Sequence, residues 1–299
     1  MIYTVTFNPA VDYVVQTGSL QPGCVNRAVS ETIRFGGKGI NVSLVLAALD
    51  VRSVALGFTA GFTGEAIERG VQEMGVETDF VHLKAGFSRI NVKLRATEET
   101  EINGQGPAID SGALAALFEK LDALSDGDTL VLAGSIPNTL PQDIYETILR
   151  RLSGRSLTVA VDATGELLLR VLRYRPFLIK PNHHELGALF GKQLHTIDEI
   201  LCCARQLQEQ GARHVLVSMA GEGAVLLDEG GGVHRCGAAK GTVRNSVGAG
   251  DSMVAGFLAG CAGGDLEHAL RLGTACGGAT AFSEGLASRG EIEALLRTL

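Results

Sequence analysis

Short apolar runs alternate with segments of helical periodicity along almost the whole chain. Residues 2–7 (IYTVTF), 53–58 (SVALGF), 128–135 (DTLVLAGS), 157–162 (LTVAVD), 177–182 (FLIKPN) and 214–219 (HVLVSM) read as strands. Several are apolar at consecutive positions, as strands covered on both faces of a parallel sheet should be. Between them, residues 39–50, 64–75, 112–124, 142–152 and 197–211 space their apolar residues as helices do and often end at glycine. Repeated β–α alternation predicts a doubly wound α/β domain. Two regions depart from the pattern. Residues 11–17 with 26–34, and residues 88–103, alternate apolar with polar positions, which predicts half-exposed antiparallel strands. Together they would form a small sheet projecting as a lid. No internal repeat, low-complexity tract or Pro/Ser linker interrupts the chain, so the reading is one domain over 1–299, with lid strands drawn from about 11–34 and 88–104.

Composition narrows the function more than the fold. A formal net charge of −7 argues against a nucleic-acid or anionic-membrane binder, which needs a basic field, but leaves room for a small anion in a locally basic pocket. The opening MIYTVTFN reads as a strand and not as a basic segment leading into an apolar signal core. No apolar run approaches the roughly 20 residues of a membrane span, so a cytoplasmic location is expected. The six cysteines are scattered and form no CxxC pair, which speaks against structural zinc and a disulfide framework.

Glycine-rich helix entries carry the candidate chemistry. In VRNSVGAGDSMVAGFLAG (243–260), the third glycine of a dinucleotide fingerprint is replaced by Met253, and no Walker A string occurs in the chain. A glycine-rich turn opening a helix still presents free amides to an anion. Asp251 is out of place in a pure anion site, because its charge repels phosphate. It fits if it takes a proton from a hydroxyl while the amides stabilise the transferring group, and equally well as a helix-capping residue. A second such entry, RFGGKGINVSLVLAAL (34–49), combines Gly36, Gly37 and Gly39 with the cation Lys38 and the amide Asn41. Asp12 follows an Asn-Pro turn at the end of the first strand, where open α/β sheets place ligands, though turn residues of this kind are common. Arg27, Arg89 and Lys93 lie on lid-like strands. Arg89 and Lys93 are four apart and share a face, as a phosphate clamp or as edge charges that block aggregation. Asn182 and Glu185 stand three apart at a helix start, positioned either to hold a hydrated Mg²⁺ or to stabilise the first turn. The adjacent His183 and His184 are expected to point apart as ordinary surface or packing residues. Ser218, Gly221 and Gly223 occupy a strand–turn–strand segment that suits nucleotide phosphates or a simple hairpin.

The order of these segments is more specific than any one of them. GGKGIN, KPNHHE and NSVGAGDS resemble the two signature regions and the magnesium motif of the ribokinase-like, phosphofructokinase-B sugar kinase family, over essentially the whole chain. The opening TVTFNPAVD, the pair SRINVKL and ETEINGQGP, and VRNSVGAGDSMVAGF resemble its branch acting on ketohexose phosphates. The resemblance implies a three-layer α/β/α sandwich with a mostly parallel central sheet and a β-sheet lid that pairs with the lid of a second subunit in a homodimer. It implies ATP and Mg²⁺ as cofactors and D-fructose 1-phosphate as the acceptor at its 6-hydroxyl. Tagatose 6-phosphate or fructose 6-phosphate are the alternative acceptors, and a non-catalytic sugar-phosphate sensor is the alternative of another class. Carried over by motif, Asp251 matches the catalytic base and Gly248, Ala249 and Gly250 the anion hole. Asp12, Gly37, Lys38, Asn41, Arg89 and Ser135 match sugar-phosphate contacts, with Arg27 reaching across a dimer. Asn182, Ser218, Gly221, Gly223, Ser246, Gly248 and Gly250 match nucleotide contacts, and Glu185 the metal position. The family's common DTxGAGD reads NSVGAGD here, with Asn245 and Ser246 in place of Asp and Thr, a departure that resembles the sugar-phosphate branch.

Overall fold

The computed structural model describes residues 1–299. The first apolar run forms β1 (Ile2–Thr6), followed by two lid strands, β2 (Ala10–Gln16) and β3 (Ser30–Gly36), and by helix α1 (Lys38–Ala48). The chain then forms β4 (Ser53–Ala60), α2 (Gly61–Glu73) and the short strands β5 (Glu77–Thr78) and β6 (Val81–Leu83). The lid is completed by β7 (Arg89–Arg95) and β8 (Glu99–Asn103). Alternation resumes through α3 (Ser111–Asp122), β9 (Thr129–Ala133), α4 (Ile144–Leu152), β10 (Thr158–Asp162), α5 (Gly165–Val171) and β11 (Leu178–Ile179). It continues with α6 (His183–Leu189), α7 (Ile197–Glu209) and β12 (His214–Ser218). An edge hairpin of β13 (Ala224–Leu227) and β14 (Val233–Cys236) precedes α8 (Ala249–Gly260), α9 (Leu266–Phe282) and α10 (Arg289–Leu296).

The large sheet runs β14-β13-β12-β11-β10-β9-β1-β4-β5, with β6 also paired to β4. Pairings from β12 through β11, β10, β9, β1 and β4 to β5 are parallel, and the β12–β13 and β13–β14 pairings at the edge are antiparallel. Alternate side chains of one strand serve opposite layers. Leu130 and Leu132 pack with residues of α3, α4, α5 and α7, whereas Val131 and Ala133 pack with α1, α8, α9 and α10. Helices on both faces explain why these strands read as unbroken apolar runs. The three-layer architecture expected from the sequence is the one observed.

Three details differ from expectation. The run 177–182 pairs only at Leu178–Ile179, with a bridge from Asn182 to Ser218, because Pro181 lacks the N–H that a continuous ladder needs. In 26–34 the strand starts only at Ser30. The lid, ordered β3-β2-β7-β8, is not purely antiparallel: β2 and β7 run parallel, as both inner strands leave the main sheet at the same end.

Close backbone approach seats the helices that matter. Gly39 lies against the end of β1, where an added Cβ would stand 2.8 Å from the Val5 carbonyl oxygen. The neighbouring Ile40 amide donates to Thr6 Oγ1 at 3.0 Å. α8 lies equally close to α9, since a Cβ on Gly256 would fall 2.7 Å from the Leu272 carbonyl oxygen. Both helix N-termini are thereby fixed over the carboxyl ends of the parallel strands.

Candidate active site

The N-termini of α1 and α8, the ends of β10 and β12, the start of α6 and the inner face of the lid enclose a cleft of about 450 Å³. Its walls include Asp12, Gly37, Lys38, Asn41, Arg89, Asn182, Glu185, Ser218, Ser246, Gly248, Gly250 and Asp251. Residues scattered over 240 positions of sequence therefore share one cavity at the strand carboxyl ends, where open α/β sheets bind ligands.

Gly248 turns the chain into α8 in the left-handed region (φ 82°), a conformation open to glycine at little cost. The first-turn amides of α8 have no intrahelical acceptors. The Ala249 amide is spent on the Ser246 carbonyl at 3.3 Å, so Gly250 and Asp251 provide the amides that face the cleft. Asp251 caps nothing: its carboxylate Oδ2 accepts from Asn41 Nδ2 at 2.8 Å, and the residue is 5% exposed. Burial and the negative charge of Asp162 raise its pKa from 3.8 to about 6, against the opposing pull of the Asn41 hydrogen bond and of Lys38 and Lys180. That places it in the range of a general base. If Asp251 removes a proton, kcat/KM falls about tenfold per pH unit below pH 6, because the protonated carboxyl can accept none. A pH–rate profile flat down to pH 4.5 would exclude that role.

Beneath Asp251 lies an ion cluster. Asp162, at the end of β10, meets Lys38 Nζ at 3.2 Å and Lys180 Nζ at 3.4 Å. Burial alone would raise the Asp162 pKa, but the two ammonium groups outweigh it and hold the carboxylate ionised. Asp162 and Lys180 line the same cleft, and the motifs did not single them out. Their signals were an acid ending a strand pattern and a lysine opening KPNHHE, both ordinary in isolation.

On the lid side, Asp12 lies directly opposite Asn91 in the β2–β7 ladder and accepts from its Nδ2 at 2.8 Å. Lys93, almost fully buried, lies 3.8 Å from Asp12 and 3.4 Å from Glu101. Since β7 is an inner strand, Arg89 and Lys93 are not edge charges, and both face the cleft. Arg89 donates from Nε to the Asn8 carbonyl at 3.0 Å, and burial lowers its pKa although a guanidinium stays charged. An adjoining cavity of about 540 Å³ is lined by Arg89, Lys38, Gly37 and Ser135. Arg27 is exposed on the segment between β2 and β3 and lies outside both cavities of its own chain.

Beyond the α8 turn a third cavity, about 720 Å³, is lined by Asn182, Ser218, Gly221, Gly223, Ser246, Ala249 and Gly250. Asn182 and Glu185 form a reciprocal capping box, each side chain accepting from the other's backbone amide at 2.8 Å. First-turn stabilisation is therefore real, yet it occupies only one Glu185 oxygen, and the residue also lines the central cleft. His183 and His184 do not point apart: their rings lie with centroids 3.8 Å apart and planes tilted by 40°, because helical neighbours diverge by about 100° and not 180°.

The chain as a whole is similar to known proteins. The family model described as pfkB family carbohydrate kinase fits residues 5–292. The chain is 49% identical over 297 residues to a 1-phosphofructokinase of Bacillus subtilis, covering 99% of this chain and 97% of that relative. It is 40% identical over 291 residues to a D-tagatose-1-phosphate kinase of Bacillus licheniformis, covering 96% and 94%. Phosphofructokinase-2 from Escherichia coli, solved in complex with substrates and products, superposes with a TM-score of 0.93 at 27% identity, covering 100% and 99%.

Proposed function

The chain belongs to the pfkB family of carbohydrate kinases, and from that premise we propose that it transfers the γ-phosphoryl group of ATP to the 6-hydroxyl of D-fructose 1-phosphate, giving fructose 1,6-bisphosphate. The observation that carries this reading is the position of Asp251, a buried base among helix-mouth amides between the cavity of Lys38 and Arg89 and a glycine-walled one. The 1-phosphate would lie in the cavity of Arg89, Ser135 and Lys38, with the sugar hydroxyls at Asp12 and Asn91. ATP would occupy the cavity of Asn182, Ser218, Gly221 and Gly223. Asp251 takes the proton of the 6-hydroxyl as its oxygen attacks the γ-phosphorus, the bond from that phosphorus to the β,γ-bridging oxygen breaks to release ADP, and the Gly250 and Asp251 amides hold the transferring group. Such transfer depends on positioning and charge stabilisation more than on covalent chemistry. The lid excludes water, which would otherwise compete as acceptor.

Mg²⁺ bound by nucleotide phosphates needs only one or two protein carboxylates, so the free Glu185 oxygen at the start of α6 fits it. When bound it would neutralise charge on the phosphates.

The nearest rival acceptor is tagatose 1-phosphate, the C4 epimer, which keeps the phosphate where this site would hold it. The 1-phosphate thus joins the 6-phosphate as a tagatose alternative. Steady-state kinetics with ATP on fructose 1-phosphate, tagatose 1-phosphate, fructose 6-phosphate and tagatose 6-phosphate decide among them.

The outer lid face supports a dimer. Ile33, Tyr13, Val92 and Ile102 lie directly opposite one another across the four strands, on the face away from Asp12 and Asn91. Ile33 and Ile102 are each 59% exposed, an apolar row in need of cover. Pairing with a second lid would cover it and bring Arg27 toward the partner's cleft. Light scattering should give a dimeric mass for the wild type and a monomeric one for Ile102→Glu. A monomeric wild type would overturn this assembly.

A further inference from the structure

We propose that Asp162 is a positioning residue for phosphoryl transfer, holding Lys38 with one carboxylate oxygen and Lys180 with the other so that a single side chain sets both phosphate-facing cations. The inference rests on the kinase reading above and concerns how its two subsites are kept in register.

Asp162 is 3% exposed and Lys180 is 5% exposed, so this pair is built into the protein, while Lys38 reaches it from a side chain that stays 43% exposed. Oδ2 lies 3.2 Å from Lys38 Nζ and Oδ1 lies 3.4 Å from Lys180 Nζ. The two lysines serve different helix mouths. Lys38 is the first residue of α1 and lines both the cleft and the adjoining cavity of Arg89 and Ser135. The Lys180 ammonium abuts the α8 turn, where a Cβ on Gly250 would stand 3.0 Å from Nζ. Asp162 thus bridges the sugar-phosphate mouth and the transfer mouth through one rigid strand end. A lysine carries an ammonium on a flexible four-carbon stem and loses conformational entropy when a ligand fixes it. Anchored beforehand, both lysines meet their anions without that cost, which is preorganisation for charge stabilisation.

The same carboxylate acts on the base. The charged residues sharing the cleft with Asp251 are Lys38 of α1, Asp162 of β10, Lys180 ahead of α6, Glu185 of α6, and Asp12, Arg89, Lys93 and Glu101 of the lid. Among these, Asp162 is the acid whose repulsion raises the Asp251 pKa, against the opposing pull of Lys38 and Lys180. Removing its charge takes away that repulsion and makes Asp251 a weaker base.

The test is the pH dependence and the KM values of Asp162→Asn, Asp162→Glu and Asn41→Ala, with the sugar phosphate that the wild type turns over. Asp162→Asn should shift the acid limb of kcat/KM down by roughly one pH unit and raise the KM for ATP and for sugar phosphate together, each by about tenfold or more. Asn41→Ala, which loses the hydrogen bond to Asp251, should shift the limb the opposite way. A role in mere structural support would move neither limb. Asp162→Glu keeps the charge but moves it by one methylene, so it should leave the limb near the wild-type value and still raise both KM values. It decides the matter if the asparagine variant does not fold. An unmoved or raised limb in a folded Asp162→Asn, a change in only one KM, or wild-type KM values in Asp162→Glu would overturn the proposal. Absence of wild-type turnover would sink the kinase reading instead. Positioning would then be read by calorimetry, as a paired or unpaired loss of affinity for ATP and sugar phosphate.

Discussion

Asp251→Asn is expected to lower kcat by about 10³–10⁴-fold while leaving the affinity for sugar phosphate within a few-fold of wild type. The replacement is isosteric, and its amide oxygen can still accept from Asn41 Nδ2, so the cleft keeps its shape. What is lost is the capacity to take a proton. The same variant is expected to be more stable than the wild type. In the folded protein the Asp251 pKa stands above its unfolded value, so the native state disfavours the ionised carboxylate. The resulting cost grows as pH rises from 3.8 to about 6 and persists in full above that, up to about 3 kcal/mol. Thermal unfolding at pH 7.5 should show a raised Tm, and the difference should shrink toward pH 4. A variant that turned over within tenfold of wild type would remove Asp251 from the chemistry.

Arg89→Met should raise the KM for the sugar phosphate by about 10²-fold, with a much smaller effect on the KM for ATP. Arg89 is the guanidinium that lines both the cleft and the adjoining cavity, and Nε is already spent on the Asn8 carbonyl. That anchor aims the remaining donors of the fork at the ligand. Arg89→Lys should recover little of the loss, because a single ammonium cannot hold the Asn8 carbonyl and a phosphate in the same geometry. The reading fails if the ATP and sugar-phosphate KM values rise equally in Arg89→Met, since a general loss of the cleft would do that.

The fold was legible where residues are buried on both faces. The runs at 53–58 and 128–135 became parallel strands because continuous apolarity has few other solutions. The parallel β2–β7 pair was not legible, because alternation reports which face is wet and says nothing about strand direction. In the site, glycines and charged residues at the helix mouths were visible as motifs. Asp251 could not be told from a capping residue until its contact with Asn41, 210 positions away, was known. Asp162 stayed hidden for the same reason. Its importance lies in two lysines brought to it by the fold, one 124 residues before it and one on the neighbouring strand path. Arg27 is the converse case, a basic residue in a suggestive segment that folds away from its own cleft.

Turnover with ATP across the four ketohexose phosphates tests the central claim most directly. The account predicts the highest kcat/KM for fructose 1-phosphate, lower efficiency for its C4 epimer, and at least about a hundredfold lower efficiency for either 6-phosphate, where the cavity of Arg89 and Ser135 would receive the wrong end of the sugar. A preference for a 6-phosphate, or no ATP consumption with any of the four, would contradict it.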